Sequence, residues 1–386
     1  MSCNEIIKYP IKFQKKSNEK ISNDKQHMNK TDDFELECPN YDKLPHVLPK
    51  VDTIIAIGDL HGDYKLAIDC LIIGKVINEN LEWIGGKTIV VQIGDQFDRC
   101  RPTPGKLCKE ENTTFDDENS DIKILMLFND LHKKAKKVGG GVYSLLGNHE
   151  IMNVQGNLSY VSYKGLFDFK DEIDDNGIKW IEKINPETGK KFENGEEIRK
   201  YLFKRGNKYA RILACTRLTA LIIGSNLFVH AAILPKLAKE YNVQDLNIIV
   251  RKWLLKTISS KEKLKGGIGR IGDILINYEL SPFWPRLLGN LKSDVPLDDI
   301  KCTDILGETL ELYKCNNMII GHTPQFFTNK SGISKTCIHN DNMGVWRIDT
   351  GSSKAFKEFG DLSEEPEYRE PQILKITNDT NIEIIK

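Results

Sequence analysis

The sequence predicts an α/β fold, and three observations carry that expectation. Short apolar runs alternate with stretches of helical spacing between about residues 53 and 146, the pattern of parallel strands joined by helical crossovers. The early runs end in Gly-Asp or Gly-Asn, at Gly58-Asp59, Gly94-Asp95 and Gly147-Asn148. Farther on, Leu218 to Ile223 and Asn226 to Val229 are apolar runs joined by Gly224-Ser225, which reads as a hairpin and makes the strand pairing mixed.

The elements follow in order. Residues 1–47 are rich in Lys, Asn, Asp and Ser without sustained periodicity, so a disordered polar leader is expected, with a short docking segment near Ile6 to Phe13. Order is expected from Leu48. Thr53 to Ile57 reads as a strand, and Tyr64 to Ile77 as a helix presenting Leu66, Cys70, Ile73 and Ile77 on one face. Thr88 to Ile93 and Val142 to Leu146 are the next strands, separated by an amphipathic helix over Ile122 to Lys137. Lys133, Lys134, Lys136 and Lys137 on that helix read as a solvated face rather than a binding patch. Later strands are expected at Asn317–Ile320, Gly344–Asp349, Gln372–Ile376 and Ile382–Ile385. The stretches at about 158–212 and 235–312 exceed ordinary loops and carry helical patterns, so they are expected to be helical insertions beside the site, within one domain spanning 48–386.

Composition excludes several classes. The 55 basic and 55 acidic residues cancel, so no global positive field recruits nucleic acid. The apolar run Leu221 to Ala232 is broken by Gly224, Ser225, Asn226 and His230, and no segment reads as a membrane span or signal peptide. Nine scattered cysteines without such a leader read as free thiols in a reducing compartment, hence a cytoplasmic protein. Cys337 and His339 are too few for a metal site of their own.

Chemistry concentrates where the strands end, which is where open α/β sheets collect ligands. Asp59 and His61 lie in Gly-Asp-Leu-His-Gly-Asp, Asp95 and Asp98 in Gly-Asp-Gln-Phe-Asp-Arg, and Asn148 and His149 in Gly-Asn-His-Glu. His230 follows Leu-Phe-Val, and His322 sits in Gly-His-Thr-Pro. Any one of these reads equally as a turn residue or a core histidine. Five segments delivering Asp, His and Asn to one rim read as a site for two divalent ions, and mixed imidazole and carboxylate donors suit Mn, Fe or Zn.

At these residues the chain resembles the phosphoprotein phosphatase branch of the calcineurin-like metallophosphoesterases. Trp83-Ile84-Gly85-Gly86, Gly-Asn-His-Glu-Ile-Met-Asn and Ser-Pro-Phe-Trp-Pro-Arg are similar to the Shewanella-like protein phosphatases. The resemblance spans about residues 53–352 and implies an αββα sandwich of two mixed sheets flanked by helices. It implies that Asp59, His61 and Asp95 hold one ion and Asp95, Asn148, His230 and His322 the other, with Mn as the expected metal. A hydroxide bridging the two ions would be the nucleophile, and His149, oriented by Asp98, the acid. Arg99, Arg286 and Asn148 would bind the phosphoryl group. Two departures stand out: Cys100 replaces the usual Gly, and Ala231-Ala232 replace Gly-Gly. The expected substrate is a phosphoprotein at Ser/Thr or Tyr, with a diadenosine-tetraphosphate or other small phosphoester hydrolase as the enzymatic alternative. A metal-binding scaffold without catalysis is the alternative of another class.

Overall fold

Alternation along the strands decides the layering. A computed structural model describes residues 32–327, 332–339, 343–357 and 370–386. Among them the strands are β1 (Val47–Leu48), β2 (Thr53–Ile57), β3 (Ile89–Gln92), β4 (Gly141–Leu145), β5 (Arg217–Leu218) and β6 (Ala220–Ile223). There follow β7 (Asn226–Val229), β8 (Asn317–Ile320), β9 (Ser334–His339), β10 (Met343–Arg347), β11 (Ile373–Thr377) and β12 (Asn381–Ile385). One six-stranded sheet has the order β12-β11-β2-β3-β4-β5 and the other β1-β6-β7-β8-β10-β9. In the first, β2, β3, β4 and β5 run parallel and β11 and β12 are antiparallel additions. In the second, antiparallel β6/β7 and β10/β9 flank the parallel pairs β7/β8 and β8/β10.

Ile54, Ala56, Val91 and Leu145 face Leu221, Ile223, Phe228 and Ile319 in the core between the sheets. Their neighbours Ile55, Ile57, Val90 and Val142 point the other way, against helix residues, as a two-residue side-chain period requires. Those helices are α2 (Tyr64–Ile73) and α3 (Asp121–Lys136), the second following the short α1 (Phe34–Glu37) and α2 in chain order. α3 supplies Ile124, Phe128, Leu131 and Ala135 at helical spacing, and α2 is capped by the Asp63 carboxylate accepting from the Leu66 amide at 3.0 Å. The outer face of the second sheet packs on the insertions. These hold α5 (Tyr163–Phe167), α6 (Gly195–Phe203) and α7 (Lys208–Thr216), which follow α4 (Asn148–Val154). Then come α8 (Pro235–Ala238), α9 (Val243–Leu254), α10 (Ile271–Ile276) and α11 (Glu308–Tyr313). The central strands of both sheets are buried on both faces, so fully enclosed Ile and Val side chains contribute about 1.5–3 kcal/mol each. The four-layer αββα sandwich is the expected architecture.

Three expectations need correction. The run Leu218 to Ile223 is not one strand: Arg217–Leu218 pair with β4 in one sheet and Ala220–Ile223 with β7 in the other. The switch falls on Thr219, whose amide, with that of Ala220, donates to Asn247 Oδ1 at 2.6 and 3.1 Å, so a helix side chain replaces the ladder partner both strands give up. Packed structure is also present ahead of Leu48, since among the described residues Phe34, Cys38 and Leu44 are buried. The Arg251 guanidinium reaches Asp32 at 2.5 Å and Glu37 at 2.9 Å. Residues 1–31 of the leader expected over 1–47, including its docking segment, lie outside the described residues. Finally, the cysteines are not all free thiols. Cys38–Cys215, Cys100–Cys108 and Cys302–Cys337 are disulfides, while Cys70 and Cys315 are buried thiols. The cysteine argument for the cytoplasm therefore loses its basis. No described helix is long and apolar enough to cross a membrane.

Candidate active site

The parallel strands β2, β3 and β4 end side by side, and the residues just past them turn inward on backbones that most side chains avoid. His61, Asp95, Asp98 and His322 all have positive φ, at 45°, 51°, 73° and 64°, a conformation that costs non-glycine residues roughly 1 kcal/mol or more each and clusters at functional sites. Close approach explains two neighbouring glycines. A Cβ on Gly147 would sit 2.1 Å from Asp95 Oδ1, and one on Gly321 would sit 2.1 Å from Asp59 Oδ1.

Asp95 Oδ2 lies at the centre of the cluster, 3.8 Å from His61 Nε2, 3.9 Å from His149 Nε2 and 3.4 Å from His230 Nε2. His61, Asp95 and His149 form one group of potential ligand atoms within 4.8 Å of one another, and Asp95, His230 and His322 form another. Three imidazoles are aimed by backbone carbonyls: His61 Nδ1 donates to Phe97 O at 3.2 Å, His230 Nδ1 to Ile93 O at 2.9 Å, and His322 Nε2 to Trp284 O at 3.1 Å. A carbonyl only accepts, so each ring carries its proton there when neutral and presents a bare nitrogen on the other side. His230 Nε2 then faces Asp95 Oδ2 and, at 3.0 Å, Asn148 Oδ1, three lone-pair donors with nothing between them. Asp59 Oδ1 and Asp349 Oδ2 are buried without a partner. Converging lone pairs and orphaned carboxylate oxygens are what divalent cations satisfy, so the residues fit a metal pair.

Electrostatics separate the groups: burial lowers the His230 pKa, but the Asp95 charge and hydrogen bond outweigh it and leave it raised. Burial, then the charges of Asp349 and Asp95, pushes the Asp59 carboxyl well above its usual range. Asp349 is pushed up to about 6, chiefly by burial. Burial also raises Asp95, but the facing imidazoles of His230 and His149 outweigh it and hold its pKa well below the ordinary carboxylate value. His61 and His322 are driven well below theirs, first by burial and then by the charges of Arg101 and His230 respectively, which keeps them neutral.

Behind this floor stands a paired wall. His149 Nδ1 donates to Asp98 Oδ2 at 2.7 Å, and Asn153 Nδ2 donates to Asp98 Oδ1 at 2.8 Å. Arg199, on α6, donates from Nε to Asn153 Oδ1 at 2.9 Å and from Nη2 to Asp121 Oδ2 at 2.6 Å. Glu150 accepts the amides of Asp95, Gln96 and Gly147 at 3.0, 2.9 and 2.7 Å, and burial with the Asp95 charge lifts its pKa to about 7. The sequence reading missed Asp349, Arg199 and the Trp284 carbonyl. Asp349 closes an expected strand and offered a signal of the same kind as Asp59. The other two are brought in by insertions and offered none.

A cavity of about 350 Å³ opens over the cluster, lined by His61, Asp95, Asn148, His149 and His322 and walled by the aromatic rings of Tyr160, Trp284, Phe327 and Phe356. Arg286 is exposed on its rim. Arg99 does not reach it. Its guanidinium is 1 % exposed and turned the other way, with Nη1 3.4 Å from both Asp63 and Glu118 and Nη2 donating to Asp116 O at 3.1 Å. The phosphoryl contact expected of Arg99 is therefore not the arrangement present, because a buried cation has taken the nearest carboxylates. Cys100 and Ala231 are accommodated: Cys100 donates its amide to Tyr160 O, and Ala231 to Pro282 O, at 3.1 and 3.0 Å.

Such a rim on an αββα sandwich defines a metal-dependent phosphatase. Residues 53–326 match the calcineurin-like phosphoesterase model, and the chain belongs to that family. It is 37 % identical over 271 residues to an uncharacterized protein of Acanthamoeba polyphaga mimivirus, covering 68 % of this chain and 98 % of that one. Shewanella-like protein phosphatase 2 of Arabidopsis thaliana is 27 % identical over 354 residues, 87 % of this chain and 78 % of the relative. The solved cold-active protein-tyrosine phosphatase of a psychrophilic Shewanella shares the fold at a TM-score of 0.55 and 18 % identity, over 89 % of this chain and 83 % of that one.

Proposed function

We propose that this phosphatase hydrolyses phosphoprotein monoesters, with phosphotyrosine the side chain best suited to its cavity and phosphoserine or phosphothreonine next. The observation that carries the reading is the aromatic wall of Tyr160, Trp284, Phe327 and Phe356 standing directly over the Asp95-centred cluster, which suits a flat aryl leaving group. The names of the Arabidopsis and Shewanella proteins support the same class.

In this reading Asp59, His61 and Asp95 would hold one ion and Asp95, Asn148, His230 and His322 the second, with Mn preferred over Fe or Zn. When bound, such a pair lowers the pKa of a coordinated water and neutralises phosphoryl charge. The chain's own residues do the rest. Asp98 fixes the Nδ1–H tautomer of His149, so Nε2 is the atom that delivers a proton to the departing oxygen. Asn153 and Arg199 occupy the other Asp98 oxygen and keep that carboxylate from rotating. Arg286 supplies a guanidinium fork at the rim.

The test is a substrate panel with Mn, Zn or chelator: phosphotyrosine, phosphoserine and phosphothreonine peptides beside diadenosine tetraphosphate. Metal-dependent release of phosphate from the peptides, fastest from phosphotyrosine, is expected. Turnover of the dinucleotide with none of the peptides would transfer the site to small phosphoesters, and two bound ions without any turnover would mark a scaffold.

A further inference from the structure

Two arginines separated by one residue leave the same loop in opposite directions. Asp98, in the left-handed region at φ 73°, turns the chain so that Arg99 runs into the interior and Arg101 runs into the cavity. Arg99 is fully engaged with Asp63, Glu118 and the carbonyls of Gly62 and Asp116. Arg101 has no carboxylate within ion-pair distance among the described residues, in contrast to the ion pairs formed by Arg99, Arg199 and Arg251.

Arg101 is nonetheless rigidly placed. Its Nη1 donates to the carbonyls of Asp98 and Cys100 at 3.0 and 2.8 Å, while Nε and Nη2 have no protein partner among the described residues. Its guanidinium lies 4.5 Å from the centre of the Phe356 ring and 5.5 Å from that of Tyr160. Cys100 is pinned on one side by its amide bond to Tyr160 O and on the other by its disulfide to Cys108. The rotamer is thus fixed before any ligand arrives, which lowers the entropic cost of using it. Burial lowers the Arg101 pKa and the charges of Asp95, Asp98 and Asp349 work against it, yet none of these carboxylates lies within ion-pair distance of the guanidinium and Asp98 is bonded to His149, so its free edge is open to an anion. A planar cation with a free edge, stacked on aromatic rings beside a metal-ligand cluster, matches a phosphoryl group with its non-bridging oxygens.

We propose that Arg101, and not Arg99, is the arginine of this loop that grips the phosphoryl oxygens of a monoester, acting with Arg286 from the opposite segment. The inference rests on the phosphomonoesterase reading and adds to it the residue that binds the group transferred.

The experiment compares wild type, Arg101→Ala, Arg101→Met and Arg99→Lys, each checked for metal content and thermal midpoint. Calorimetric titration with orthophosphate into the Mn-loaded protein is read beside kcat and KM for an aryl phosphate. Both Arg101 variants are expected to keep their ions and to bind orthophosphate at least tenfold more weakly, with kcat/KM falling at least tenfold. Arg101→Met keeps a long unbranched side chain beside Phe356 without the charge, so it reads the charge even where Ala disturbs the fold. Arg99→Lys is expected to bind orthophosphate within twofold of wild type. Wild-type orthophosphate affinity in Arg101→Met, or a tenfold loss confined to Arg99→Lys, overturns the inference while leaving the parent reading intact. A wild-type chain that holds ions but neither binds orthophosphate nor hydrolyses any phosphoester overturns both.

Discussion

The floor of the cavity and the wall behind it use the same residue types to opposite ends. On the floor, Asp59 Oδ1 and Asp349 Oδ2 have no donor, and the ring nitrogens of His61 and His230 face the carboxylates of Asp59 and Asp95. In the wall, Asp98, Asn153, Arg199 and Asp121 satisfy one another in an unbroken chain of bonds. A buried carboxylate with no partner is expensive unless a ligand supplies the charge, whereas a fully bonded network only has to hold shape. Deficit marks where chemistry is brought in, and saturation marks what keeps it in register. Arg101 and Arg99 repeat the contrast within three residues of chain.

Four substitutions break or sharpen that contrast. The largest effect is expected for Asp95→Asn, which removes the one carboxylate facing both ligand groups. Bound metal should fall along with activity, and the loss should exceed the roughly 10²- to 10⁴-fold worth of a positioned acid. Elemental analysis finding two ions per chain in this variant would remove Asp95 from the centre of the floor.

His149→Asn should stay within that roughly 10²- to 10⁴-fold range and keep its metal. The deficit should shrink for aryl phosphates with good leaving groups, which need less protonation. Equal deficits on aryl and alkyl phosphates, or loss of an ion, would make His149 a ligand with His61 and Asp95 instead.

Arg199→Met tests the wall. Arg199 is fully buried and bonded to Asn153, Asp121 and Gly165 O, so deleting its charge strands Asp121 and should cost about 3–5 kcal/mol of stability. Denaturant midpoints measure this, with metal content unchanged in the folded fraction. A variant as stable as wild type would show that the network is not what holds Asp98.

The smallest effect is expected at the rim. Arg286 is exposed and held through its backbone, its amide donating to Tyr278 Oη and its carbonyl accepting from the Asn290 amide, both at 2.8 Å. Arg286→Ala should lower kcat/KM about tenfold, equivalent to ~1.4 kcal/mol, and weaken inhibition by free phosphate while sparing the metals. Near-wild-type kinetics would leave phosphoryl binding to Arg101.

Much of this was legible in the chain. The short apolar runs of β2, β3 and β4 and the 3.6-residue spacing of α3 are local properties, and they marked the parallel strands as well as the ends at which Asp59, Asp95 and Asn148 emerge. His230 follows an apolar run directly and His322 follows one after the single residue Gly321. What failed needed partners distant in sequence. The break at Thr219 exists because Asn247, 28 residues on, takes its amide, and the packing ahead of Leu48 depends on Arg251 and Cys215.

By itself, then, the sequence determined where the early strands end and which Asp, His and Asn residues stand there, since each is written in the few residues around a turn. Only the tertiary structure decided which arginine enters the cavity. Arg99 and Arg101 are alike in type and neighbourhood, and the choice between them turns on Asp63 and Glu118 claiming one charge while Phe356, from the far end of the chain, stacks on the other. Side-chain direction after a left-handed residue depends on which partners the fold has already put in place, and no local pattern encodes that.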